Sequence, residues 1–201
     1  MLRVGLTGGL ASGKSFVGEA LASLGCHLLK ADELGHQLLM PGTPVHEKVV
    51  ETFGQAILDS EGRILRRALA SVVFGDAEKL AALNAIIHPA VIEEEERWMQ
   101  EVKEVDPHGI AIVEAAILIE TGSYKRFDKI VLAVCSEQQQ IERAMKRDGI
   151  TREEALMRLQ RQMPLDEKRK FADFVVDTSG EKEQTLVQVR RLYDELRRLA
   201  S

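Results

Sequence analysis

Residues 2–32 read LRVGLTGGLASGKSFVGEALASLGCHLLKAD, and this stretch decides the fold class. Leu2 to Leu6 is a short apolar run that ends in a glycine-rich turn, Thr7-Gly8-Gly9. Beyond the turn Val17, Leu21 and Leu24 recur at helical spacing as far as Gly25, a natural helix stop. Cys26 to Leu29 is a second apolar run, and it leads to Asp32. Strand, loop, helix, strand is the opening of a parallel α/β sheet, since parallel neighbours need a crossover between them.

Inside that stretch Gly8-Gly9-Leu10-Ala11-Ser12-Gly13-Lys14-Ser15 fits the pattern G-x-x-x-x-G-K-[ST]. The spacing has a physical reason. Glycines let the backbone fold into a nest whose N–H groups point inward at phosphate oxygens, and the following helix adds the positive end of its dipole. A lysine at position 14 can reach the outer phosphates, and the Ser15 hydroxyl can ligate Mg²⁺. A strand before and a helix after are the context the pattern requires. The stretch is therefore read as a nucleoside triphosphate site in place of an empty glycine turn.

Working outward, Ile110 to Val113, Ile130 to Cys135 and Phe174 to Asp177 are further strand candidates, apolar at most positions as strands covered on both faces are. With the first two runs they make a five-stranded parallel sheet. Leu80, Leu83, Ile86 and Ile87 form one helical face that His88-Pro89 is expected to cut off. Val91, Ile92, Trp98, Met99 and Val102 predict a long helix up to Asp106-Pro107, with Glu93 to Glu96 on or near its wet side. The last helix carries Leu186, Val189, Leu192, Tyr193, Leu196 and Leu199 on one face. Residues 41–105 hold no convincing strand and are read as a helical insertion within a single domain.

The 201-residue chain is 45% hydrophobic and 29% charged, the balance of an ordinary soluble globular protein that buries a core without staples. Its net charge of −5 argues against coating a nucleic-acid backbone, so no nucleic-acid partner is expected. No apolar run is long enough for a membrane span, and the N-terminus lacks the pattern of a secretory signal. The two cysteines, Cys26 and Cys135, are expected to be buried, reduced thiols in a cytoplasmic protein.

A phosphate loop alone does not separate a kinase, a GTPase and a motor. The guanine-reading N-K-x-D is absent from the sequence. A motor ATPase is usually larger, with an acidic residue closing an apolar strand as metal partner, and here only Glu114 after Ile110 to Val113 resembles that. The length favours a small-molecule kinase, and so do two arginines. Arg143 and Arg147, four apart, share one helix face ahead of Asp148-Gly149. Phosphoryl transfer is catalysed by positioning and by cations around the transferred group, so such a pair on a lid suits it, although a solvated helix face has the same spacing. Asp32 closes the second strand at the carboxyl edge of the sheet, where ligands of parallel sheets bind. There it can accept a proton from an attacking hydroxyl, or cap a helix beginning at Glu33, or both. Among the five histidines none has zinc spacing. His36 lies four residues after Asp32, and His88 sits at the Pro89 boundary.

The segments LTGGLASGKS (6–15), ADELGHQ (31–37), Pro41-Gly42, LRRAL (65–69), LNAIIHP (83–89), VEAAILIE (113–120), ERAMKRDG (142–149), QMPLDEKRKFAD (162–173) and VVDTSG (175–180) stand in the order and spacing of one family. Through them nearly the whole chain resembles the dephospho-coenzyme A kinases. The resemblance implies a P-loop nucleotide-kinase-like three-layer fold, with the helical insertion at about 41–105 binding the acceptor and a lid at about 143–168. It implies transfer of the γ-phosphate of ATP, with Mg²⁺, to the ribose 3′-hydroxyl of dephospho-CoA, the last step of coenzyme A synthesis. It places ATP on Gly8, Gly9 and Ala11 to Phe16 (Ala11, Ser12, Gly13, Lys14, Ser15, Phe16), with Ser179 and Gly180 near the adenine. It makes Asp32 the catalytic carboxylate beside Lys14, Arg143 and Arg147, Ser15 the metal ligand, and His36, Arg66 and His88 acceptor contacts. The chain departs from the family at several points. Ala11 stands where Gly is usual, Phe16 where Thr is usual, Lys30 for the first Asp of Asp-Ala-Asp, Ala116 for Pro and Thr178 for Asn.

Overall fold

The computed structural model describes residues 1–73 and 75–200. In chain order the regular elements are β1 (Leu2–Gly8), α1 (Lys14–Ser23), β2 (His27–Lys30), α2 (Ala31–Leu38), α3 (Pro44–Phe53), α4 (Arg66–Val73), α5 (Ala77–Val105), β3 (Ile110–Glu114), β4 (Lys129–Val134), α6 (Glu137–Asp148), α7 (Arg152–Leu159), α8 (Leu165–Lys168), β5 (Phe174–Asp177) and α9 (Lys182–Ala200). The five strands make one parallel sheet in the order β2-β3-β1-β4-β5. Cys26 and Cys135 sit one residue outside β2 and β4; both are free, Cys26 buried and Cys135 only partly so.

The chain divides into two compact units. One holds residues 1–30 and 99–201, and the other residues 31–98. In the sheet unit β1 is central, with β3 and β4 on either side. Leu6 is in register with Glu114 and Thr7 with Leu132, so the ends of three strands are level where β1 gives way to its glycine turn. Val4, Leu6, Val17, Leu21, Ile112, Val131, Val189 and Leu196 form the core between the sheet and helices α1 and α9. Truncating Leu6, Leu21, Ile112 or Leu196 to alanine costs about 2–5 kcal/mol.

The helical unit contains α2, α3, α4 and the first part of α5. Val45, Val49, Ile57, Leu69, Val73 and Leu83 form its own core, flanked by Ile86, Ile87 and Ala90. Thr43 caps α3 by accepting from the His46 N–H at 3.1 Å, and Pro44 follows at the position where a missing N–H is harmless. The unit's one extended pairing among the described residues is an isolated bridge, Leu58 with Ile64.

Three expectations need correction. Pro89 does not end a helix: α5 runs through it for 29 residues. The missing N–H leaves the Ala85 carbonyl without its helical donor, a cost of about 3 kcal/mol, yet Leu83, Ile86, Ile87 and Ala90 pack on both sides of it and carry the helix across. The run Glu93 to Glu96 is not uniformly wet, because 3.6-residue periodicity turns Glu95 inward to 3% exposure. Leu199 is exposed and Ala200 takes the buried place at the end of α9.

Candidate active site

The glycine turn becomes a left-handed loop wrapped over the start of α1. Gly13, the residue before the helix, has φ +83°, and a Cβ there would meet Thr178 Oγ1 at 2.9 Å. Only glycine satisfies both demands. Ala11 has φ +50°, the one non-glycine among the described residues in that region. The usual glycine at this position is thereby explained, and alanine accepts the geometry at some cost. Ala11 to Phe16, Gly9, Arg143 and Arg147 together line a cavity of about 240 Å³. Its floor is the N-terminus of α1, whose first N–H groups suit phosphate oxygens.

Glu114 closes β3 beside this loop. Its Oε1 accepts from the Lys14 ammonium and from the Ser15 hydroxyl, each at 2.6 Å. The carboxylate is 3% exposed, and its Oε2 is buried without a hydrogen-bond partner. That second oxygen lies over α1 at Gly18, where a Cβ would come within 3.1 Å of it. A hydroxyl and a carboxylate with an unused oxygen are hard donors of the kind Mg²⁺ takes when phosphates supply its other ligands. Glu114, a weak hint in the sequence, thus lies against Lys14 and Ser15 of the loop.

Arg143 and Arg147 do share a face of α6, and Gly149 ends that helix with φ +65°. Arg143 donates to Thr178, to the carbonyl at 2.7 Å and to the hydroxyl at 3.1 Å. The Thr178 hydroxyl in turn donates to the Ser12 carbonyl at 2.7 Å. Threonine in place of the usual asparagine thus ties the phosphate loop, β5 and α6 together. Ser179 is held by Asp177, whose carboxylate accepts from its N–H and its hydroxyl and is kept below the ordinary carboxylate range by those bonds. Gln139 reaches the Ser179 carbonyl at 2.7 Å, so the exposed Ser179-Gly180 turn is moored to α6. Arg147 is exposed and forks onto Asp148, which Arg158 also grips at 2.9 Å.

Three residues that sequence reasoning left unassigned hold the loop from behind. Gln140 donates to the Leu10 carbonyl and Gln162 accepts from the Leu10 N–H, both at 2.8 Å. Lys168 is wholly buried and bonds to the Gly8 carbonyl, the Ala116 carbonyl and Glu120. Burial lowers its pKa against the pull of Glu120. A lysine reads as surface in a sequence, so the only available signal was its place in the QMPLDEK segment.

In the helical unit α2 begins at Ala31, one residue past the end of β2. Asp32 therefore lies inside the first turn and is not the cap of a helix from Glu33, although its charge still favours that terminus. His36, exposed on the same helix, feels Asp32, Glu33 and Arg66, and its pKa is lowered by partial desolvation and by Arg66. Of the sequence-predicted residues, Asp32 and Arg66 are thus both within electrostatic reach of His36. His88 lies half-buried in mid-helix on α5, its pKa lowered by burial alone. Lys30, in place of the usual aspartate, pairs with Glu19 at 2.8 Å in the sheet unit.

Comparison with known proteins shows the family and the fold. The family model described as dephospho-CoA kinase matches residues 2–184. The dephospho-CoA kinase of Aquifex aeolicus is 43% identical over 198 residues, 98% of this chain and 99% of that protein. That of Carboxydothermus hydrogenoformans is 42% identical over 188 residues, 92% and 90% of the two chains. The solved dephospho-CoA kinase from Campylobacter jejuni matches with a TM-score of 0.73 at 25% identity, covering 99% of this chain and 98% of that one. A shikimate kinase from Bacteroides thetaiotaomicron, at TM-score 0.53 and 16% identity over 97% of this chain and 98% of that one, shares the fold. The chain therefore belongs to the dephospho-CoA kinase family, which phosphorylates dephospho-CoA with ATP in the last step of coenzyme A synthesis.

Proposed function

We propose that the loop Gly8–Phe16 cradles the triphosphate of ATP and that Asp32 takes the proton of the acceptor's ribose 3′-hydroxyl as the γ-phosphoryl group moves to it. The observation that supports this most is the convergence of the loop, Lys14, Ser15, Arg143 and Arg147 on one cavity. Lys14 gives up Glu114 for the outer phosphates, where its charge is needed as the bond to the leaving oxygen stretches. Arg143 is already aimed by Thr178, whereas Arg147 leaves Asp148 to reach the transferred group. Ser15 and Glu114 would hold Mg²⁺, which would supply positive charge to offset that of the phosphates.

Asp32, His36, Arg66 and His88 all lie in the helical unit, which is accordingly the acceptor-binding part, and residues 143–168 act as the lid. Ser179 and Gly180 border the adenine. The reaction is cytoplasmic, with ATP and dephospho-CoA as small-molecule partners. Among the described residues no helix is long and apolar enough to cross a membrane.

Asp32→Asn tests the carboxylate. It keeps shape and removes the proton acceptor, so kcat should fall by about 10²–10⁴-fold with little change in ATP binding. Parental kcat in the folded variant removes Asp32 from the chemistry. Unfolding of the variant would instead give its charge in the first turn of α2 the larger role.

A further inference from the structure

Lys168 is the largest wholly buried side chain among the described residues, and it carries a charge. An ammonium in such a place is strongly disfavoured unless every proton is met, and an apolar side chain would fill the space more readily. Here all three protons are met. Nζ lies 3.0 Å from the Gly8 carbonyl, 2.7 Å from the Ala116 carbonyl and 2.9 Å from Glu120 Oε1. Gly8 is the last residue of β1 and the first of the phosphate loop. Ala116 lies two residues beyond Glu114, whose carboxylate holds Lys14 and Ser15. One side chain thus fixes the start of the loop against the segment that carries the loop's counter-charge.

The same short segment is attached at its other end. Gln162 accepts from the Leu10 N–H at 2.8 Å, and the Met163 N–H donates to Glu120 at 3.1 Å. Gln162 to Lys168 therefore bonds to residues on both sides of Gly9. These bonds tie the Gly8 carbonyl to Lys168 and the Leu10 N–H to Gln162, so the backbone on either side of Gly9 is fixed from one segment.

We propose that Lys168 is a positioning residue for phosphoryl transfer, locking the phosphate loop in register with Glu114 and joining the end of the lid to that loop. It touches no phosphate. It acts through Gly8 on the loop and through Ala116 on the segment bearing Glu114. The proposal rests on the reading of Gly8–Phe16 as the triphosphate cradle.

The test compares Lys168→Met, Glu120→Gln and Lys14→Ala with the parent. Fold is checked by circular dichroism and thermal unfolding, ATP affinity by calorimetry, and kcat at saturating ATP and dephospho-CoA well below every Tm. Folded Lys168→Met should bind ATP within about threefold of the parent while kcat falls about 100-fold, the loss that a small misplacement of reacting groups produces. A merely structural lysine would lower Tm and leave kcat per folded molecule unchanged, and that result overturns the proposal. If Lys168→Met does not fold, Glu120→Gln, which keeps the ammonium and weakens one of its three contacts, decides instead. It should lower kcat about tenfold at near-parental Tm, and parental kcat overturns the proposal. Parental turnover by Lys14→Ala would overturn the cradle reading and this inference with it. Loss of turnover in Lys14→Ala beside full kcat in folded Lys168→Met would overturn the inference alone.

Discussion

The Lys14 ammonium lies 2.6 Å from Glu114 Oε1. The lysine is nearly buried and the glutamate 3% exposed, so neither charge is well served by water. Each charge offsets the other, and the Ser15 hydroxyl donates to the same oxygen. Glu114→Gln keeps the shape and discards the charge. The expected outcome is a 10–100-fold rise in the Mg²⁺ concentration giving half-maximal rate, together with a lower Tm, because a nearly buried lysine loses its partner. A Mg²⁺ titration of initial rates measures the first effect. An unchanged titration would show that Glu114 only parks the lysine.

Ala11 makes an independent prediction about the loop. At φ +50° an alanine pays about 1–2 kcal/mol relative to the right-handed region. Glycine relieves that strain but loses about 0.4–1 kcal/mol through the freer unfolded chain. Ala11→Gly should therefore leave Tm unchanged or raise it by a few degrees, whereas Ala11→Val, β-branched, should lower it clearly. Thermal unfolding of the pair checks the order, and a valine variant as stable as the glycine one would contradict it.

Stability should also depend on pH through two histidines. Partial desolvation and Arg66 hold His36 below the ordinary imidazole pKa, and desolvation holds His88 below it. The folded chain then binds fewer protons than the unfolded one at pH values under about 6.5, so stability is level above that point and falls as pH drops through the folded values. Carboxylates with lowered pKa, such as Asp148 and Asp177, act only in a more acid range. Tm should therefore decline as pH falls below about 6.5, and a His36→Gln, His88→Gln double variant should decline less. Equal slopes would contradict this assignment.

Much of this could be read from the sequence where the physics is local. The five strands are short apolar runs bounded by turn residues, and the phosphate loop is a backbone shape that its glycines impose. Arg143 and Arg147 on one face follow from helical spacing alone. What stayed hidden depends on contacts between distant segments. Pro89 was misread because its cost is local while the packing of Leu83, Ile86, Ile87 and Ala90 that offsets it is not. The sequence marks Glu114 only as an acidic residue closing an apolar run, and it takes the strand register to set it level with Leu6 and beside Lys14. Thr178 and Lys168 reach the loop from more than 150 residues away in the chain, the first with a hydroxyl and the second with an ammonium that water would normally claim.

The most direct measurement is a coupled ADP-release assay with ATP, Mg²⁺ and dephospho-CoA, run beside adenosine, AMP, CMP and UMP, for the parent and for Lys14→Ala. Turnover is predicted with dephospho-CoA alone, and Lys14→Ala should lower it by roughly 10³-fold or more while remaining folded. Equal turnover with AMP, no turnover with any acceptor despite ATP binding, or a fully active Lys14→Ala would contradict the account.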